Sequence, residues 1–483
     1  MATTLFFYDL ETSGIYPDSG RIMQFAGQRT DLNLKEVGQP INQLIRLNED
    51  ILPDPAAVLV HGISPQQTIE EGLSEAEFLK LFYSEATLPD TTFVGFNNIR
   101  FDDEFMRYLN YRNLYDPYAW SYENNASRWD MLDVVRLTRA LRPDGINWPI
   151  DDKGANVNRL EMLTKANKLD HANAHDALAD VRATIAIARL IKEKQPKLYS
   201  YLFNLRLKSE AAKLAASGQP FIYTSSHYPS SQLHTTIVKK VADHPDKNCI
   251  MVFDLRIDPS PWQDKSPEQL ADSWRYVKDR DVEDPPLPVK TMRLNRCPAI
   301  APLTVMDKDA RARLELDMEQ VEYHEQQLDS RLEEFARKLN QAVGILNTEQ
   351  AARQKAGANF IDSRLYDGFY SDSDRRLLKE LHQHEAAETV RRLRPQFADK
   401  RLNSLCSFYL ARNYKQDLTD DERKGWDDYV NKRLFSGGDN SRLMAYFNRI
   451  QQLAKERQDK RSQLLLEDLR LYGESLIPSE LSA

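Results

Sequence analysis

The chain has 483 residues, of which 41% are hydrophobic and 10% aromatic, and its formal net charge is −8. That length is too great for one ordinary core, so we expect about three domains, and the composition excludes a disordered chain. The negative charge argues mildly against a nucleic-acid partner, although local basic patches decide binding.

Targeting and membrane signals are not evident in the sequence. No segment near the N-terminus combines a basic start, an apolar core and a small-residue cleavage site. No apolar run approaches the ~20 residues that span a bilayer. The three cysteines, Cys249, Cys297 and Cys406, are widely separated and have no metal-ligand spacing. We therefore expect a protein of the reducing cytoplasm.

The first part of the chain combines strand-like and helical patterns. Apolar runs predict strands at Leu5–Leu10, Gln24–Arg29, Gln43–Leu47 and Thr92–Phe96. Helical periodicity predicts helices at Leu160–Ala166 and Ala177–Lys194. Strands that come first and helices that follow later favour a mixed α/β sheet. Pro196 ends the long helix, so we place this first domain at 1–196.

Two further domains are predicted from a change of pattern. Short β-rich runs separated by proline-bearing turns occur at Thr236–Ala242, Cys249–Leu255 and Val289–Leu294. They favour a small barrel or sandwich, which we place at 197–350. A charge-rich helical stretch then leads into sequence that stays helical apart from interruptions near Pro395 and at Gly437 and Gly438. We place an all-α third domain at 355–483.

A pair of carboxylates ends the first predicted strand, in the segment FFYDLETSGI. In a strand Asp9 and Glu11 project from one face, about 6 to 7 Å apart along the chain. Such a pair repels unless a cation or a proton lies between the two groups. An exposed strand end is the alternative interpretation.

Two later segments add further acidic groups. Asp102 lies in the first turn of a predicted helix in NNIRFDDE, and Asp176 and Asp180 lie one helical turn apart in NAHDALAD. His175 lies at or before the start of that helix. Alone, Asp102 could be a charge that favours a helix N-terminus, and His175 could be a capping or surface residue. Together with Asp9, they favour a metal-dependent site.

The three acidic segments resemble a known superfamily. DLETSG, NNIRFDDE and HDALAD are similar to the three motifs of the DEDD exonucleases, in the branch whose last motif carries a histidine before the final aspartate. This resemblance implies a ribonuclease-H-like fold and hydrolysis of nucleic acid from the 3′ end.

Longer segments resemble the bacterial exonuclease I family over nearly the whole chain. They are YRNLYDPYAWSYENNASRWDMLDVVRLTRALRPDGINWP, RLEMLTKAN and YDGFYSDSDR. The resemblance implies a ribonuclease-H-like α/β exonuclease domain, an SH3-like β-rich domain and an all-α C-terminal domain. It also implies degradation of single-stranded DNA to mononucleotides, in DNA repair and recombination. One departure is Ser13, because an aromatic residue is more usual in this family after the threonine.

The family resemblance assigns roles to the acidic residues and the histidine. It implies two Mg²⁺ ions, with Mn²⁺ as a substitute, and makes Asp9 the bridging ligand. Glu11 and Asp180 would complete the metal shells, and Asp102 would act directly or through water. His175, with an ordinary pKa of about 6.5, would accept the proton of the attacking water.

Strand binding requires aromatic stacking platforms and basic contacts to the backbone. The family suggests as substrate contacts Glu11, Arg107, Tyr118, Tyr122, Arg136 and Arg159. His61 and Gly62 are further candidates near the terminal nucleotide. For Trp120 and Trp129 a core position is an equal alternative. For the basic run Arg391, Arg392 and Arg394 the alternative to DNA contact is a solvated helix face.

The resemblance also implies a protein partner, the acidic C-terminal tail of single-stranded DNA-binding protein. A receptor for that tail needs a basic group beside an apolar or aromatic pocket, and Arg142 and Tyr201 occupy the matching positions. Either residue could instead be structural. We expect the protein to act as a monomer.

Three other functions remain as alternatives. A DEDD exonuclease that acts on RNA, or a proofreading exonuclease, shares the acidic motifs but not the long sequence after residue 196. A non-catalytic single-strand-binding module would be expected to have lost a carboxylate. A structural interaction protein accounts for the helical tail but not for the acidic motifs.

Overall fold

The computed structural model describes residues 3–170, 176–278, 280–281, 283–357, 360–384 and 386–478. The predicted His175 lies outside the described residues. The chain divides into two compact units. The first unit comprises Met1–Ala126, Ala172–Arg182 and Ala358–Ala483, and the second comprises Ser127–His171 and Ala183–Gly357.

Ten strands are present in the described residues. In chain order they are β1 (Thr4–Thr12), β2 (Ile22–Thr30), β3 (Glu36–Leu44), β4 (Thr91–Gly95), β5 (Ser127–Asp130), β6 (Phe221–Thr224), β7 (Thr235–Asp243), β8 (Cys249–Asp254), β9 (Val289–Arg293) and β10 (Ala299–Pro302).

Twenty α-helices accompany these strands in the same described ranges. The first ten are α1 (Pro55–His61), α2 (Pro65–Glu71), α3 (Glu75–Glu85), α4 (Asp102–Arg112), α5 (Met131–Leu141), α6 (Leu160–Ala166), α7 (Ala177–Lys194), α8 (Pro196–Leu205), α9 (Lys208–Ala215) and α10 (Ser260–Gln263). The others are α11 (Pro267–Trp274), α12 (Lys308–Arg313), α13 (Met318–Ser330), α14 (Leu332–Gly357), α15 (Asp372–Gln383), α16 (Ala387–Leu393), α17 (Lys400–Asn413), α18 (Asp420–Leu434), α19 (Arg442–Glu456) and α20 (Lys460–Ser475).

The sheet of the first unit places β1 at its centre, in the order β3-β2-β1-β4. β1 runs antiparallel to β2 and parallel to β4. Phe6, Tyr8 and Leu10 project into an aromatic core that includes residues of α3 and α4. Because side chains alternate along a strand, Asp9 and Glu11 project from the opposite face.

The C-terminal helices of the first unit pack on its sheet domain through two apolar clusters. One cluster joins α4 to α15, α16 and α17 through residues such as Tyr111, Leu378 and Leu405. The other joins α1 to α19 and α20 through residues such as Val58 and Leu469. The helical C-terminal part is therefore built into the same compact unit as the carboxylate-bearing strand.

The second unit contains a separate five-stranded sheet in the order β10-β6-β7-β8-β9. Every neighbouring pair in this sheet is antiparallel. The long helix α14 packs against α11 and β7. This small β-rich sheet agrees with the barrel or sandwich that was predicted from short strands and proline-bearing turns.

The predicted elements differ from the structure mainly at one strand. The predicted helices at Leu160–Ala166 and Ala177–Lys194 have the observed bounds of α6 and α7. The strand predicted at Gln43–Leu47 is wrong in its bounds, because β3 spans Glu36–Leu44. Its first four residues are exposed and it contains Pro40, so the apolar pattern that marks a buried strand is missing. In the described residues, no helix is both long and apolar enough to cross a membrane.

Candidate active site

Three carboxylates converge in the first unit. Asp9 and Glu11 come from β1, and Asp180 comes from the first turn of α7. One oxygen from each of the three lies within 4.8 Å of the others. The strand face and the helix start therefore bring together two acidic motifs that are separated by most of the first predicted domain.

The proximity of these groups changes their ionisation. Burial, followed by the charges of Asp102 and Asp180, raises the pKa of Asp9 well above its ordinary value. Burial and the charges of Asp180 and Asp102 raise the pKa of Glu11 to about 8. Bare carboxylates in this arrangement favour the uptake of protons or of a cation. Carboxylate oxygens are the ligands that hard divalent cations prefer, so this site fits a divalent metal.

The fourth predicted carboxylate, Asp102, is the first residue of α4 and is buried. Its charge acts on both Asp9 and Glu11, although Asp102 is not in the group whose oxygens approach within 4.8 Å. The next residue, Asp103, accepts a short hydrogen bond from the hydroxyl of Tyr8. Since Tyr8 precedes Asp9 on β1, that bond holds the start of α4 beside the carboxylate strand.

Sequence reasoning missed one residue that organises the site, Gln24. In the β1–β2 register Gln24 lies directly opposite Glu11. Its amide nitrogen donates to Asp176 Oδ1 at 3.0 Å and to Asn42 Oδ1 at 2.9 Å. A pairing of the two predicted strands would have placed Gln24 beside Glu11. It would not have identified Asp176 as the hydrogen-bond partner of Gln24, because the two residues are far apart in the sequence.

The departure noted at Ser13 also has a structural role. Ser13 is buried, and its hydroxyl accepts a hydrogen bond from the backbone nitrogen of Arg21 at 2.8 Å. Its own nitrogen donates to the carbonyl oxygen of Arg21 at 2.9 Å. The serine therefore closes the loop that connects β1 to β2.

Three predicted DNA contacts, Arg107, Tyr118 and Tyr122, lie in the first unit. Arg107 pairs with Glu104 at 2.6 Å, and its guanidinium carbon lies 5.5 Å from the centroid of the Tyr118 ring. Tyr118 in turn lies 5.8 Å from the ring of Phe369, which is 80% exposed. Tyr122 is also exposed. Sequence reasoning missed Phe369, although it belongs to the quoted segment YDGFYSDSDR.

The other two predicted DNA contacts lie in the second unit. Arg136 pairs with Asp133 at 2.8 Å, and Arg159 is an exposed residue just before α6. Trp120 and Trp129 are both buried, which favours the core interpretation for these two aromatic residues.

Two arginines of the basic run, Arg391 and Arg392, and the candidate His61 have structural partners. Arg391 pairs with Glu422 at 2.7 Å, and Arg392 pairs with Glu380 at 2.8 Å, as expected for a solvated helix face. His61 ends α1 and is buried, and its Nδ1 accepts from the nitrogen of Ile63 at 3.0 Å.

Gly62 follows at a φ of 80°, where glycine is favoured. A Cβ on Gly62 would lie 2.3 Å from Nη2 of Arg461, so the flexible Arg461 side chain would have to move to admit a larger residue.

The predicted partner residues lie at the end of α5 and within α8. Arg142 is paired with Asp307 at 3.1 Å and donates to the carbonyl oxygen of Val305 at 2.6 Å. Tyr201 is partly buried, and burial raises its pKa to about 12. A peptide carboxylate that binds Arg142 would therefore compete with Asp307.

Family comparisons cover the chain in three consecutive segments. Residues 6–188 match the family model described as exonuclease, residues 206–343 match the exonuclease I SH3-like domain, and residues 359–476 match the exonuclease I C-terminal domain. The exodeoxyribonuclease I of Haemophilus influenzae is 37% identical over 481 residues, which cover 98% of this chain and 99% of the relative. This chain belongs to the exodeoxyribonuclease I family. The Escherichia coli member is 36% identical over 98% of each chain.

Solved structures of exonuclease I share the fold of this family member. The enzyme from Methylocaldum szegediense is 40% identical with a TM-score of 0.91, over 99% of this chain and all of that chain. E. coli exonuclease I in complex with a dA16 oligonucleotide is 35% identical with a TM-score of 0.89, and the match covers 98% of this chain and 100% of that chain. A structure of SSB/exonuclease I with the inhibitor CFAM is 33% identical with a TM-score of 0.88, and the match covers 99% of this chain and 100% of that chain.

Family membership confirms the predicted enzyme class and fold class. The chain is an exonuclease, a phosphodiester hydrolase, with exonuclease, SH3-like and C-terminal domains. The RNA-acting and non-catalytic alternatives are not favoured.

Proposed function

We propose that this family member degrades single-stranded DNA from its 3′ end to mononucleotides, using two Mg²⁺ ions. The convergence of Asp9, Glu11 and Asp180 is the observation that carries the proposal. The complex of the E. coli relative with a dA16 oligonucleotide supports a single-stranded substrate.

The proposed mechanism gives each carboxylate a holding role. When bound, two Mg²⁺ ions supply positive charge over the scissile phosphate and lower the pKa of the attacking water. Asp9, Glu11 and Asp180 would hold the ions, with Asp9 as the ligand shared between them, and Asp102 would act directly or through water. Because burial and mutual repulsion raise the pKa of Asp9 and Glu11, cation binding displaces protons from them.

The proposed base is His175. It accepts one proton from the attacking water while a new oxygen–phosphorus bond forms. The bond from phosphorus to the 3′ oxygen of the preceding nucleotide breaks, and that oxygen takes up a proton. The released product is a nucleoside 5′-monophosphate, and the shortened strand again ends in a 3′ hydroxyl.

The strand is proposed to contact Arg107, Tyr118, Tyr122, Arg136 and Arg159. Supporting this role, Tyr118 lies against Arg107, and Tyr122 is exposed. Base stacking on aromatic rings tolerates any sequence, which suits a nuclease that must pass over every base.

The test of the activity uses strands labelled at the 5′ end. Single-stranded DNA with Mg²⁺ should shorten stepwise from the 3′ end, while a blunt duplex and an RNA of the same sequence should survive. A ladder of equal intensity from the duplex or from RNA would reject the proposed substrate. Replacing Mg²⁺ with Mn²⁺ and Ca²⁺ in the same assay tests the metal.

A second proposal concerns the C-terminal tail of single-stranded DNA-binding protein as a partner. The SSB/exonuclease I structure supports this partnership for a relative. In this chain Arg142 and Tyr201 are the proposed contacts, with Arg142 exchanging Asp307 for the terminal carboxylate of the tail.

The partner proposal is tested with a labelled tail peptide. It should bind the wild type in the micromolar range and bind Arg142→Ala at least about tenfold more weakly, because a charge-assisted pair is lost. Arg331→Ala, which removes another exposed ion pair of the second unit, is the control. Equal binding by Arg142→Ala and wild type would exclude Arg142 as the receptor.

We also propose a cytoplasmic monomer that acts in DNA repair and recombination. Cys249, Cys297 and Cys406 form no disulfide in the described residues, which suits a reducing compartment. Sedimentation of the purified chain and fractionation of the source cells test the two parts of this proposal separately.

A further inference from the structure

A cavity of about 310 Å³ lies in the first unit, between the loop after β1 and the helices α18 and α19. The loop contributes Ser13 and Tyr16 to its lining, and the helices contribute Arg433 and Arg442. Its volume is at the lower end of the range for small-molecule sites, about 300 to 1,000 Å³. A ligand of mononucleotide size therefore fits.

Two guanidinium groups line this cavity. The Arg433 side chain is buried, whereas Arg442 is open to solvent. Desolvation and the charge of Arg433 lower the pKa of Arg442, against the opposing charge of Asp18. Among the described residues no carboxylate lies within ion-pair distance of Arg442, whose guanidinium carbon lies 5.0 Å from the ring centroid of Phe360. An anion in the cavity would relieve the repulsion between the two arginines.

A buried ionic network lies behind Arg433. It consists of four arginines and three carboxylates, namely Arg21, Arg112, Arg412, Arg433, Asp50, Glu75 and Asp362. With all seven groups ionised, the network has one positive charge in excess. Uncompensated charge in a protein interior is costly, so a negative group at the open side of the network would stabilise it.

Asp50 connects this network to the cavity that it also lines. Its Oδ2 accepts from Arg412 at 2.8 Å and from Arg21 at 3.4 Å. Its Oδ1 is buried and accepts no hydrogen bond from the described residues.

The rim of the cavity adds an apolar surface. Ile15 and Tyr16 both line it and are 65% and 68% exposed. An exposed aromatic ring and an aliphatic side chain can cover the face of a nucleobase. The lining thus combines two cations, Arg433 and Arg442, with an aromatic rim and with two carboxylates, Asp50 and Asp54.

We propose that this cavity is a phosphate-monoester site in which Arg433 and Arg442 bind the phosphate, and that its ligand is a nucleoside 5′-monophosphate. The choice of a nucleotide rests on the proposed function, because DNA hydrolysis to mononucleotides releases this class of product. The phosphate site itself rests only on the charges and the cavity. Its lining does not include Asp9, Glu11 or Asp180, and that carboxylate group repels phosphate when no cation is bound.

The experiment is calorimetric titration of the full chain in EDTA. Three ligands are compared: deoxyadenosine 5′-monophosphate, inorganic phosphate and deoxyadenosine. The nucleotide should bind the wild type, and Arg442→Gln should weaken it by about tenfold or more through the loss of a charge-assisted contact. Arg442→Lys should retain part of the affinity. Arg449→Gln, on the same helix and outside the cavity, should bind as the wild type does.

The outcomes separate the possible sources of binding. Equal binding by deoxyadenosine and its monophosphate, equal binding by Arg442→Gln and wild type, or no binding in EDTA would each overturn the proposal. Binding that requires an added divalent cation would place the ligand at the carboxylates and would also overturn it. If inorganic phosphate binds as tightly as the nucleotide, the phosphate site stands and free phosphate is its ligand.

Hydrolysis of single-stranded DNA by the same preparations tests the proposed function independently. If the wild type binds the nucleotide in EDTA but does not degrade single-stranded DNA with metal, the phosphate site stands and the proposed function fails. If it degrades DNA but shows no metal-free binding, the proposed function stands and the phosphate site fails.

Discussion

Gln24 and Asp176 are joined by a hydrogen bond of 3.0 Å, from the side-chain amide of Gln24 to a carboxylate oxygen of Asp176. The backbone nitrogen of Ala177 also approaches Gln24 Oε1, at 3.4 Å. These contacts tie β2 to the start of α7, the helix that carries Asp180. Because Gln24 lies opposite Glu11, they align two of the three converging carboxylates. Gln24 is therefore a positioning residue for the metal site.

Gln24→Leu should weaken the apparent affinity for the divalent cation by about 10- to 100-fold, as is usual when a residue that orients metal ligands is lost. The measurement is the cation dependence of single-stranded DNA hydrolysis. Gln28→Leu is the matched control, since Gln28 lies on the same strand but donates to backbone carbonyls of Arg29 and Val37. Identical cation dependence in the two variants would exclude a positioning role for Gln24.

Asp9→Asn should abolish hydrolysis and raise the thermal stability of the cation-free protein. The first effect follows from the proposed bridging role, and the second from removing a buried carboxylate that Asp102 and Asp180 repel. Melting curves in EDTA and in Mg²⁺ should show that the variant gains little from metal. Asp31→Asn, in the turn after β2, should behave as the wild type. More than about a tenth of wild-type turnover in Asp9→Asn would reject the two-metal assignment.

The stability of the cation-free protein should fall as the pH rises toward 8. The pKa of Glu11 is about 8 in the folded chain, against an ordinary value of 4.5, so the folded state holds a proton that the unfolded state has released. The stabilisation that comes from this proton on Glu11 is complete below about pH 4.5 and is lost as the pH rises through about 8. Melting temperatures in EDTA at several pH values measure the slope, and Glu11→Gln should flatten it. A slope that is unchanged in Glu11→Gln would assign the effect to other groups.

The stabilisation of the protein by an added cation should increase with pH, whereas the stability of the cation-free protein should decrease. Each cation displaces protons from Asp9 and Glu11, so the gain in melting temperature on adding Mg²⁺ should grow between about pH 5 and pH 8. A gain that is constant over this range would mean that the carboxylates are already ionised in the cation-free protein.

The acidic site is predictable from sequence because short-range rules govern most of it. Alternation along a strand puts Asp9 and Glu11 on one face, and helix periodicity puts Asp180 in the first turn of α7. Gln24 and Phe369 escaped prediction because their partners come from distant parts of the chain. The strand β3 was misplaced because its exposed first half lacks an apolar pattern.

Tyr118→Ala should weaken binding of single-stranded DNA by about 1 to 3 kcal/mol, the usual effect of removing one stacking platform. Its ring lies 5.5 Å from the Arg107 guanidinium carbon and 5.8 Å from the ring of Phe369, and these two contacts orient it before a base arrives. Binding is measured by fluorescence anisotropy in Ca²⁺ or in an Asp9→Asn background, where the strand is not degraded. Tyr276→Ala, which removes a ring that is 92% exposed, is the control. Equal affinities for the two variants would remove Tyr118 from the proposed DNA contacts.

The buried ionic network joins residues that no sequence pattern connects, and it provides the last prediction. Arg21 donates to Asp362 at 2.8 Å although 341 positions separate them, and Arg412 reaches the same carboxylate at 2.7 Å. Although burial alone would raise the pKa of Asp362, the charges of Arg412 and Arg21 hold it well below its ordinary value. Asp362→Asn should therefore lower the free energy of unfolding by about 3 to 5 kcal/mol, because it leaves buried guanidinium groups uncompensated.

The loss in Asp362→Asn should be constant from about pH 5 to pH 8. Asp362 is ionised in both the folded and the unfolded chain over that range, and its stabilisation disappears only as the pH falls below about 3.8, its ordinary pKa. Urea unfolding of the full chain measures the difference. Asp372→Asn is the control, because that side chain is 94% exposed and its ion pair with Arg375 should contribute less than about 1 kcal/mol. If both variants unfold at the same urea concentration, the network does not stabilise the first unit.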